Sequence, residues 1–346
     1  NECYLQDIKY VANLPIGWEK IKNKKILISG ASGMIGSFLI DVIMYRNINW
    51  NDNCKVIALG RDLNKAQTRF VDYLNSSQFS FVLQDINRNL SDIGDIDFII
   101  HAASNTHPLA YATDPKGTIM TNILGTYNIL DYAVNHNIER LLFTSSVEIY
   151  GENRGDVEEF EESYCGYIDC NTLRAGYPES KRAGEALCQA FIKNHAIDIV
   201  IARLSRTYGP TMLKSDSKAI AQFIKQGLLK EDIILKSAGT QYYSYCHVAD
   251  TVSGILTVLL KGKCGEAYNI SDVSSNISLK DLAQIIAEYV GKKVVFQLPD
   301  TVEAAGYSTA TKAVLSSNKL KMLKWKSKYD IQTGIERTMD ILFELK

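Results

Sequence analysis

Seven residues near the start of the chain, Gly30-Ala31-Ser32-Gly33-Met34-Ile35-Gly36, constrain its fold more than any other segment. A short apolar run, Lys25-Ile26-Leu27-Ile28-Ser29, leads into them, and a helical pattern follows from Met34 to about Tyr45. Glycines at a strand-to-helix junction permit a tight turn and let the backbone approach a bulky anion. The charge of that anion then meets the partial positive charge at the helix N-terminus. A dinucleotide pyrophosphate has these requirements, so Gly30, Ser32, Gly33, Met34, Ile35 and Gly36 form a candidate cofactor cradle.

The same rhythm repeats downstream. Val56–Leu59, Phe81–Leu83, Ile96–Ile100, Leu141–Phe143 and Ile197–Ile201 are short apolar runs. Helical patterns separate them, including one after Asn64 and a long one from about Glu179 to Asn194. Continuous apolar runs suit parallel strands buried on both faces. Repeated strand–helix units imply an α/β, Rossmann-type doubly wound parallel sheet with right-handed crossovers. After Arg203 the rhythm loosens, where a smaller C-terminal α/β substrate-binding lobe is expected. The division that follows is a leader over 1–23, a dinucleotide-binding domain over 24–203 with 241–262, and the lobe over 204–240 with 263–346. Ile8, Val11, Leu14, Ile16 and Trp18 give the leader apolar side chains to bury against the body.

Composition excludes several classes. The 346 residues carry 38 basic and 39 acidic side chains, a net charge of −1. No basic excess points to nucleic acid, and no polybasic tract points to a membrane surface. No apolar run is long enough to span a bilayer, and Asn1–Tyr10 is too polar for a signal peptide. Seven scattered cysteines without a CxxC fit reduced thiols in a cytoplasmic enzyme. His101, His107 and His247 have no metal-ligand spacing, so no metal is expected.

The reacting centre is read from Tyr177-Pro178-Glu179-Ser180-Lys181. The i, i+4 spacing puts Tyr177 and Lys181 on one helix face. A phenol with a pKa near ~10 is a weak base at neutral pH. A neighbouring ammonium and an oxidised nicotinamide favour the phenolate, so a lowered pKa is expected. Tyr177 can then take the proton of a substrate hydroxyl as hydride leaves its carbon.

These motifs resemble the short-chain dehydrogenase/reductase superfamily, in its extended, NAD-dependent epimerase/dehydratase branch. The resemblance runs from about Lys24 to the C-terminus. It rests on the GxxGxxG of Gly30–Gly36, the YxxxK, and four further segments. Asp85-Ile86 is similar to the adenine-contacting pair, and His101-Ala102-Ala103 to the cofactor-lining segment. Asn122 matches the NxxGT helix within Thr121–Thr126, and Tyr208-Gly209-Pro210 matches the YGP that opens the lobe. By that resemblance Ser146, four residues before Tyr150, orients the reacting oxygen, and Lys181 also contacts the cofactor. A homodimer is implied, through a four-helix contact that includes the Tyr177 helix. The choice between NAD and NADP turns on Leu59-Gly60-Arg61-Asp62. Gly60 stands where an acidic residue usually meets the ribose, and Arg61 suits a 2′-phosphate or an adenine face, which tilts the expectation to NADP; Asp62 can still reach a ribose, so NAD stays open beside it.

The subtype is set by the residues after Ser146. Dehydratases of this family have Asp-Glu there, UDP-glucuronate decarboxylases Ser-Glu, and 4-epimerases two small uncharged residues; this chain has Val147-Glu148. Glu148 is a candidate base for the proton next to a transient 4-ketone. The spacing to Arg174 resembles the decarboxylase branch, but the arginine that branch uses before its LxW segment is Lys312 here. Arg206 stands where the RxxNxYGP pattern has asparagine, and Tyr243 where the GxQxR pattern has arginine. Losing one arginine and gaining another suggests a phosphate bound from a different direction. Arg174, Arg206, Tyr243 and Lys312, with Ser146, are the candidate substrate contacts.

The expected function is a nucleotide-sugar enzyme acting through a 4-keto intermediate, and a 4-epimerase-like reaction survives these departures best. The alternatives are a UDP-glucuronate decarboxylase-like or 4,6-dehydratase-like enzyme, and an NADPH-dependent keto-sugar reductase. A non-catalytic dinucleotide sensor is argued against by the joint presence of Ser146, Tyr177 and Lys181.

Overall fold

The computed structural model describes residues 1–90, 93–106, 108–297 and 310–345, so His107 lies outside the described residues. A leader helix α1 (Glu2–Ala12) precedes β1 (Lys25–Ser29), α2 (Met34–Trp50), β2 (Lys55–Gly60), α3 (Leu63–Arg69), β3 (Phe79–Leu83) and β4 (Phe98–His101). Next come α4 (Pro108–Thr113), α5 (Pro115–Asn135), β5 (Arg140–Ser146), α6 (Gly176–His195), β6 (Ile199–Leu204) and β7 (Arg206–Tyr208). The chain continues through α7 (Ala219–Leu228), β8 (Ile233–Leu235), β9 (Tyr242–His247), α8 (Val248–Lys261) and β10 (Ala267–Ile270). β11 (Asn276–Ser278), α9 (Leu279–Tyr289), β12 (Val294–Phe296), β13 (Lys312–Ala313) and the helices Asn318–Met322 and Ile331–Glu344 complete it.

Seven parallel strands form one sheet in the order β3-β2-β1-β4-β5-β6-β10. Strand pleating divides each apolar run between two buried faces. Ile26, Ile28, Val56 and Ala58 face a core shared with α2, α8 and the leader. Leu27, Ile57, Ile99 and Leu141 face a second core under α5 and α6. The strand order reverses between β1 and β4, and a crevice opens at the carboxyl ends of strands at such a point. Ser29, His101 and Ser146 all end their strands there.

The sheet differs from the sequence expectation at one edge. Ala267–Ile270, expected within the lobe, pairs with β6 as the seventh strand. Helix α2 also runs on to Trp50, past the expected end near Tyr45. Arg46 and Asn47 interrupt the apolar pattern in sequence, yet both are buried and satisfied. Arg46 pairs with Asp52, donates to the Ala12 carbonyl at 2.7 Å and lies between the rings of Trp18 and Trp50.

The leader is clamped to both ends of the molecule. Ile8, Val11, Ile16 and Trp18 are buried, and Leu14 packs at the core edge. Buried Asp7 accepts hydrogen bonds from Tyr329 and Arg337, and Tyr10 donates to Asp250 at 3.1 Å.

A third core, including Tyr150, Phe160, Tyr208, Phe223, Leu282 and Ile335, fills the lobe. There β9 pairs with β7, β11 and β13, while β8 pairs with β12. Strands β6 and β7 are separated only by Ser205, so the chain passes from the main sheet to the lobe directly over the crevice.

Candidate active site

The glycine turn has the geometry its sequence calls for. Gly30 has φ 71°, and a Cβ there would lie 2.7 Å from the Ala102 carbonyl oxygen. A Cβ on Gly36 would lie 2.5 Å from the Gly30 carbonyl oxygen. Both contacts are with backbone, which cannot swing away. Gly33 starts α2 with no side-chain cap, and the first turn of α2 holds no acidic residue. Its leading N–H groups are therefore free to meet an anion. Ser32 sits beside Gly60, and Met34 and Ile35 line a cavity of about 670 Å³. A cradle kept open by two obligatory glycines, under an uncapped helix N-terminus, fits a dinucleotide pyrophosphate.

At the end of β2, Arg61 is exposed, and the Asp62 carboxylate caps α3 by accepting from the Lys65 N–H at 2.9 Å. Asp85 is half-buried and accepts from the Asn87 N–H at 3.0 Å. Ile86 is buried beneath α5, where a Cβ on Gly125 would lie 2.5 Å from its Cδ1, and Asn128 donates to its carbonyl at 2.7 Å.

His101 and Asn122 are braces inside the protein. The His101 ring lies between the Ser29 hydroxyl at 2.7 Å and the Thr126 hydroxyl at 3.1 Å. Burial, with the charge of Lys181, pushes its pKa down to about 3, so the imidazole is neutral. The Asn122 amide accepts from Ser104 at 2.7 Å and donates to Ser180 at 2.9 Å. Ser180 in turn donates to the Tyr177 carbonyl at 2.8 Å. Asn122 thereby ties α5 to the turn of α6 that carries Tyr177.

Ser146, Tyr177 and Lys181 meet on the cavity wall. β5 delivers Ser146 at its carboxyl end, and α6 delivers the other two from its first turns; Pro178 is tolerated there because first-turn N–H groups have no helical acceptor. The Lys181 ammonium donates to the Thr144 carbonyl at 2.9 Å and lies 4.9 Å over the Phe143 ring. Burial pushes its pKa down to about 8. The Tyr177 ring stacks on Tyr111 from α4, with centroids 4.8 Å apart. Its phenol runs against the expectation of a lowered pKa. Burial pushes it up to about 12, and the charge of Glu148 adds to this. Hydrogen bonds from Ser146 and Tyr111 and the charge of Arg174 oppose the rise without cancelling it.

Glu148 sits in the 3-10 turn that follows Ser146, whose hydroxyl accepts from the Glu148 N–H at 3.2 Å. Its carboxylate is paired with Arg174 at 2.7 Å and faces Arg206 at 3.7 Å. Arg174 stands over the Tyr111 ring at 4.8 Å, and Arg206 over the Tyr243 ring at 3.5 Å. All five residues line the main cavity. Lys312 is not part of this group: it ion-pairs with exposed Glu158 at 2.6 Å and is not among the residues lining the cavity. Its backbone pairs with Tyr242, and the alternating pleat separates it from the side chain of Tyr243.

Sequence reasoning missed Tyr111, Ser145 and Ser205. Tyr111 lies on a six-residue helix with no motif around it. The buried hydroxyls of Ser145 and Ser205 line the cavity and have no partner among the described residues. An unpaired serine at a carboxyl-terminal strand end is the only signal that marks them. Among the described residues, no helix is long and apolar enough to cross a membrane, and no cluster of His, Cys, Asp and Glu is placed to hold a metal ion.

Comparison with known proteins agrees with this geometry. The model of the NAD dependent epimerase/dehydratase family matches residues 26–271. UDP-glucuronic acid decarboxylase 3 of Arabidopsis thaliana is 29% identical over 313 residues, covering 90% of this chain and 87% of the relative. UDP-glucuronic acid decarboxylase 6 of the same plant is 30% identical over the same shares. Among solved structures, the UDP-glucuronic acid 4-epimerase of Bacillus cereus, in complex with UDP-glucuronic acid and NAD, superposes with a TM-score of 0.80. It is 23% identical and covers 93% of this chain and 100% of its own. The dTDP-glucose 4,6-dehydratase of Streptomyces venezuelae, with NAD bound, also gives 0.80 at 22% identity, over 92% of this chain and 97% of its own. These two structural likenesses show the shared fold.

Proposed function

Because this chain belongs to the NAD dependent epimerase/dehydratase family, as an enzyme of the extended short-chain dehydrogenase/reductase type, we propose that it is a sugar-nucleotide 4-epimerase-like enzyme working through a 4-keto intermediate. One observation carries this reading: Ser146, Tyr177 and Lys181 converge on the cavity, while Glu148, the candidate second base, is engaged by Arg174 and faced by Arg206. Epimerisation needs a proton acceptor at the 4-hydroxyl and room for the ketone to turn over. Dehydration needs a further acid to expel water, and Val147 stands where that acid would be.

In this reading each residue has its own role. Met34, Ile35 and the open N-terminus of α2 would hold the dinucleotide, with Gly30 and Gly36 keeping its cradle clear. When bound, that cofactor supplies a hydride acceptor, later a donor, and a positive ring charge. Tyr177 removes the proton of the sugar 4-hydroxyl and later returns it to the alkoxide. Ser146 hydrogen-bonds the same oxygen and fixes its direction. Lys181, anchored on the Thr144 carbonyl, supplies an ammonium on the same helix face as the phenol, a charge that favours the deprotonated form. Exposed Arg61 supports NADP, and the family assignment alone is compatible with NAD. A second copy of the chain is the expected partner, through the face of α5 and α6 that exposes Met120 and Tyr127.

A decarboxylase is the second reading, favoured by the curated relatives whose names carry that activity. Incubating the purified protein with UDP-glucuronate, UDP-glucose and dTDP-glucose, without added nicotinamide, separates the readings. Epimerisation inverts C4 at unchanged mass, which proton NMR and mass spectrometry detect together. Release of carbon dioxide with formation of a pentose product would replace the epimerase reading with the decarboxylase one. In a parallel incubation with added NADPH, its stoichiometric consumption would replace both with a reductase.

A further inference from the structure

Beside the main cavity lies a smaller one of about 190 Å³, and Val147, Glu148, Arg174 and Arg206 line both. Two guanidiniums face one carboxylate in this shared wall. Three of their shielded nitrogens, Nε and Nη1 of Arg174 and Nη1 of Arg206, have no hydrogen-bond acceptor among the described residues. Buried donors on a charged group are costly to leave unmatched. Each guanidinium is backed by the ring of a tyrosine, Tyr111 or Tyr243. Guanidiniums with unmatched donors suit an oxyanion, which a planar fork can bind through two parallel hydrogen bonds. Glu148 lies only two residues beyond Ser146, so the wall adjoins the reacting sugar and not the distant nucleotide base.

Resting on the nucleotide-sugar reading, we infer that Arg174 and Arg206 are a two-pronged receptor for one anionic substituent of the reacting sugar, and that Glu148 is the resident anion which this substituent displaces. Glu148 holds the receptor together until the substrate arrives. The smaller cavity, which Glu148 also lines, gives the displaced carboxylate a place to go. Arg206 is the specificity-determining member. Its contact with Glu148 is the longer, at 3.7 Å against 2.7 Å, so it is the more readily won by an incoming anion. A neutral sugar has nothing to exchange for the Glu148–Arg174 pair and meets a wall that stays closed.

The test is calorimetric titration of the purified chain, loaded with NAD and carrying Tyr177→Phe so that no turnover intervenes. The probes are UDP-glucuronate, UDP-glucose and UDP. UDP-glucuronate should bind at least about tenfold more tightly than UDP-glucose. Arg206→Asn should reduce that preference to about threefold or less while UDP binds within about twofold of its original affinity. Glu148→Gln should tighten UDP-glucuronate by about threefold or more and leave UDP-glucose within about twofold. Equal binding of the two sugars, or a preference that survives Arg206→Asn, overturns the receptor. Unchanged or weaker UDP-glucuronate binding by Glu148→Gln overturns the displacement. Retained UDP binding identifies those failures as failures of the receptor alone; loss of UDP binding in the Tyr177→Phe chain itself overturns the nucleotide-sugar reading beneath it.

Discussion

The guanidinium of Arg206 lies 3.5 Å from the centroid of the Tyr243 ring. These two positions are where the chain departs from the RxxNxYGP and GxQxR patterns; Arg206 pairs with Tyr245 across β7 and β9, and Tyr243 lies two residues back along β9, on the same face. The two departures are one structural unit. The tyrosine that replaces an arginine supports the arginine that replaces an asparagine, and the cation moves from one strand to its neighbour.

That contact is measurable by itself. A double-mutant cycle with Arg206→Gln and Tyr243→Leu should give a coupling energy of about 0.5–2 kcal/mol in urea unfolding. A coupling near zero would mean that the stacked geometry contributes nothing.

Tyr177→Phe should lower turnover of the nucleotide sugar by about a hundred- to ten-thousandfold, the range of a lost acid–base group. The ring still stacks on Tyr111, so affinity for NAD, followed by fluorescence quenching, should stay unchanged. Full activity in this variant would remove Tyr177 from the chemistry.

Gly36→Ala should both destabilise the protein, by about 1–3 kcal/mol as an overpacking change, and weaken dinucleotide binding. The added methyl has only the Gly30 carbonyl and the Ala31 backbone to meet. Urea denaturation and cofactor titration read the two effects, and a variant normal in both would show that the turn is looser than its geometry.

Arg61→Ala should weaken NADP by about tenfold, the loss expected for one charge-assisted phosphate contact, and leave NAD nearly unaffected. Parallel losses for both cofactors would place Arg61 against the adenine instead.

Two histidines set a pH limit on stability. Burial, with Lys181 for His101 and with Arg337 and Lys328 for His247, pushes both pKa values from 6.5 down to about 3. Between those values the unfolded chain binds protons that the folded chain refuses. Stability is therefore intact above the ordinary histidine value and falls as pH drops through it, by up to about 1.4 kcal/mol per pH unit for each residue. His247→Asn keeps an acceptor at the start of α8 and removes one of the two groups, so the acid slope of its unfolding free energy should be shallower than that of the unaltered chain. Parallel slopes would show that His247 is protonated in the folded state.

Much of this protein was legible before its fold was known, because the signals are local. The glycines at 30, 33 and 36 act on their own turn, and Tyr177 and Lys181 share a helix face through a spacing of four. Apolar runs such as Lys25–Ser29 declare a strand buried on both sides. Other features were misjudged for equally physical reasons. Arg46 and Asn47 look like the end of a helix until Asp52, Trp18 and Trp50 are found around Arg46 and the Cys54 backbone against Asn47. Ala267–Ile270 is too short to reveal which sheet it joins. Lys312 was a reasonable candidate contact by its place before Trp325, but strand alternation carries it to Glu158.

The amino-acid order by itself determined the glycine turn before α2, the parallel sheet and the tyrosine–lysine pair, since each depends on neighbours a few residues away along the chain. Only the tertiary structure decided what Glu148 touches. Arg174 and Arg206 reach it from separate turns and strands, and Tyr111 and Tyr243 back them from two more. It also decided the surroundings of Tyr177, whose phenol is pushed up by burial and opposed by Ser146, Arg174 and Tyr111. Burial and long-range charge are properties of the whole packed chain, and no spacing within a single segment carries them.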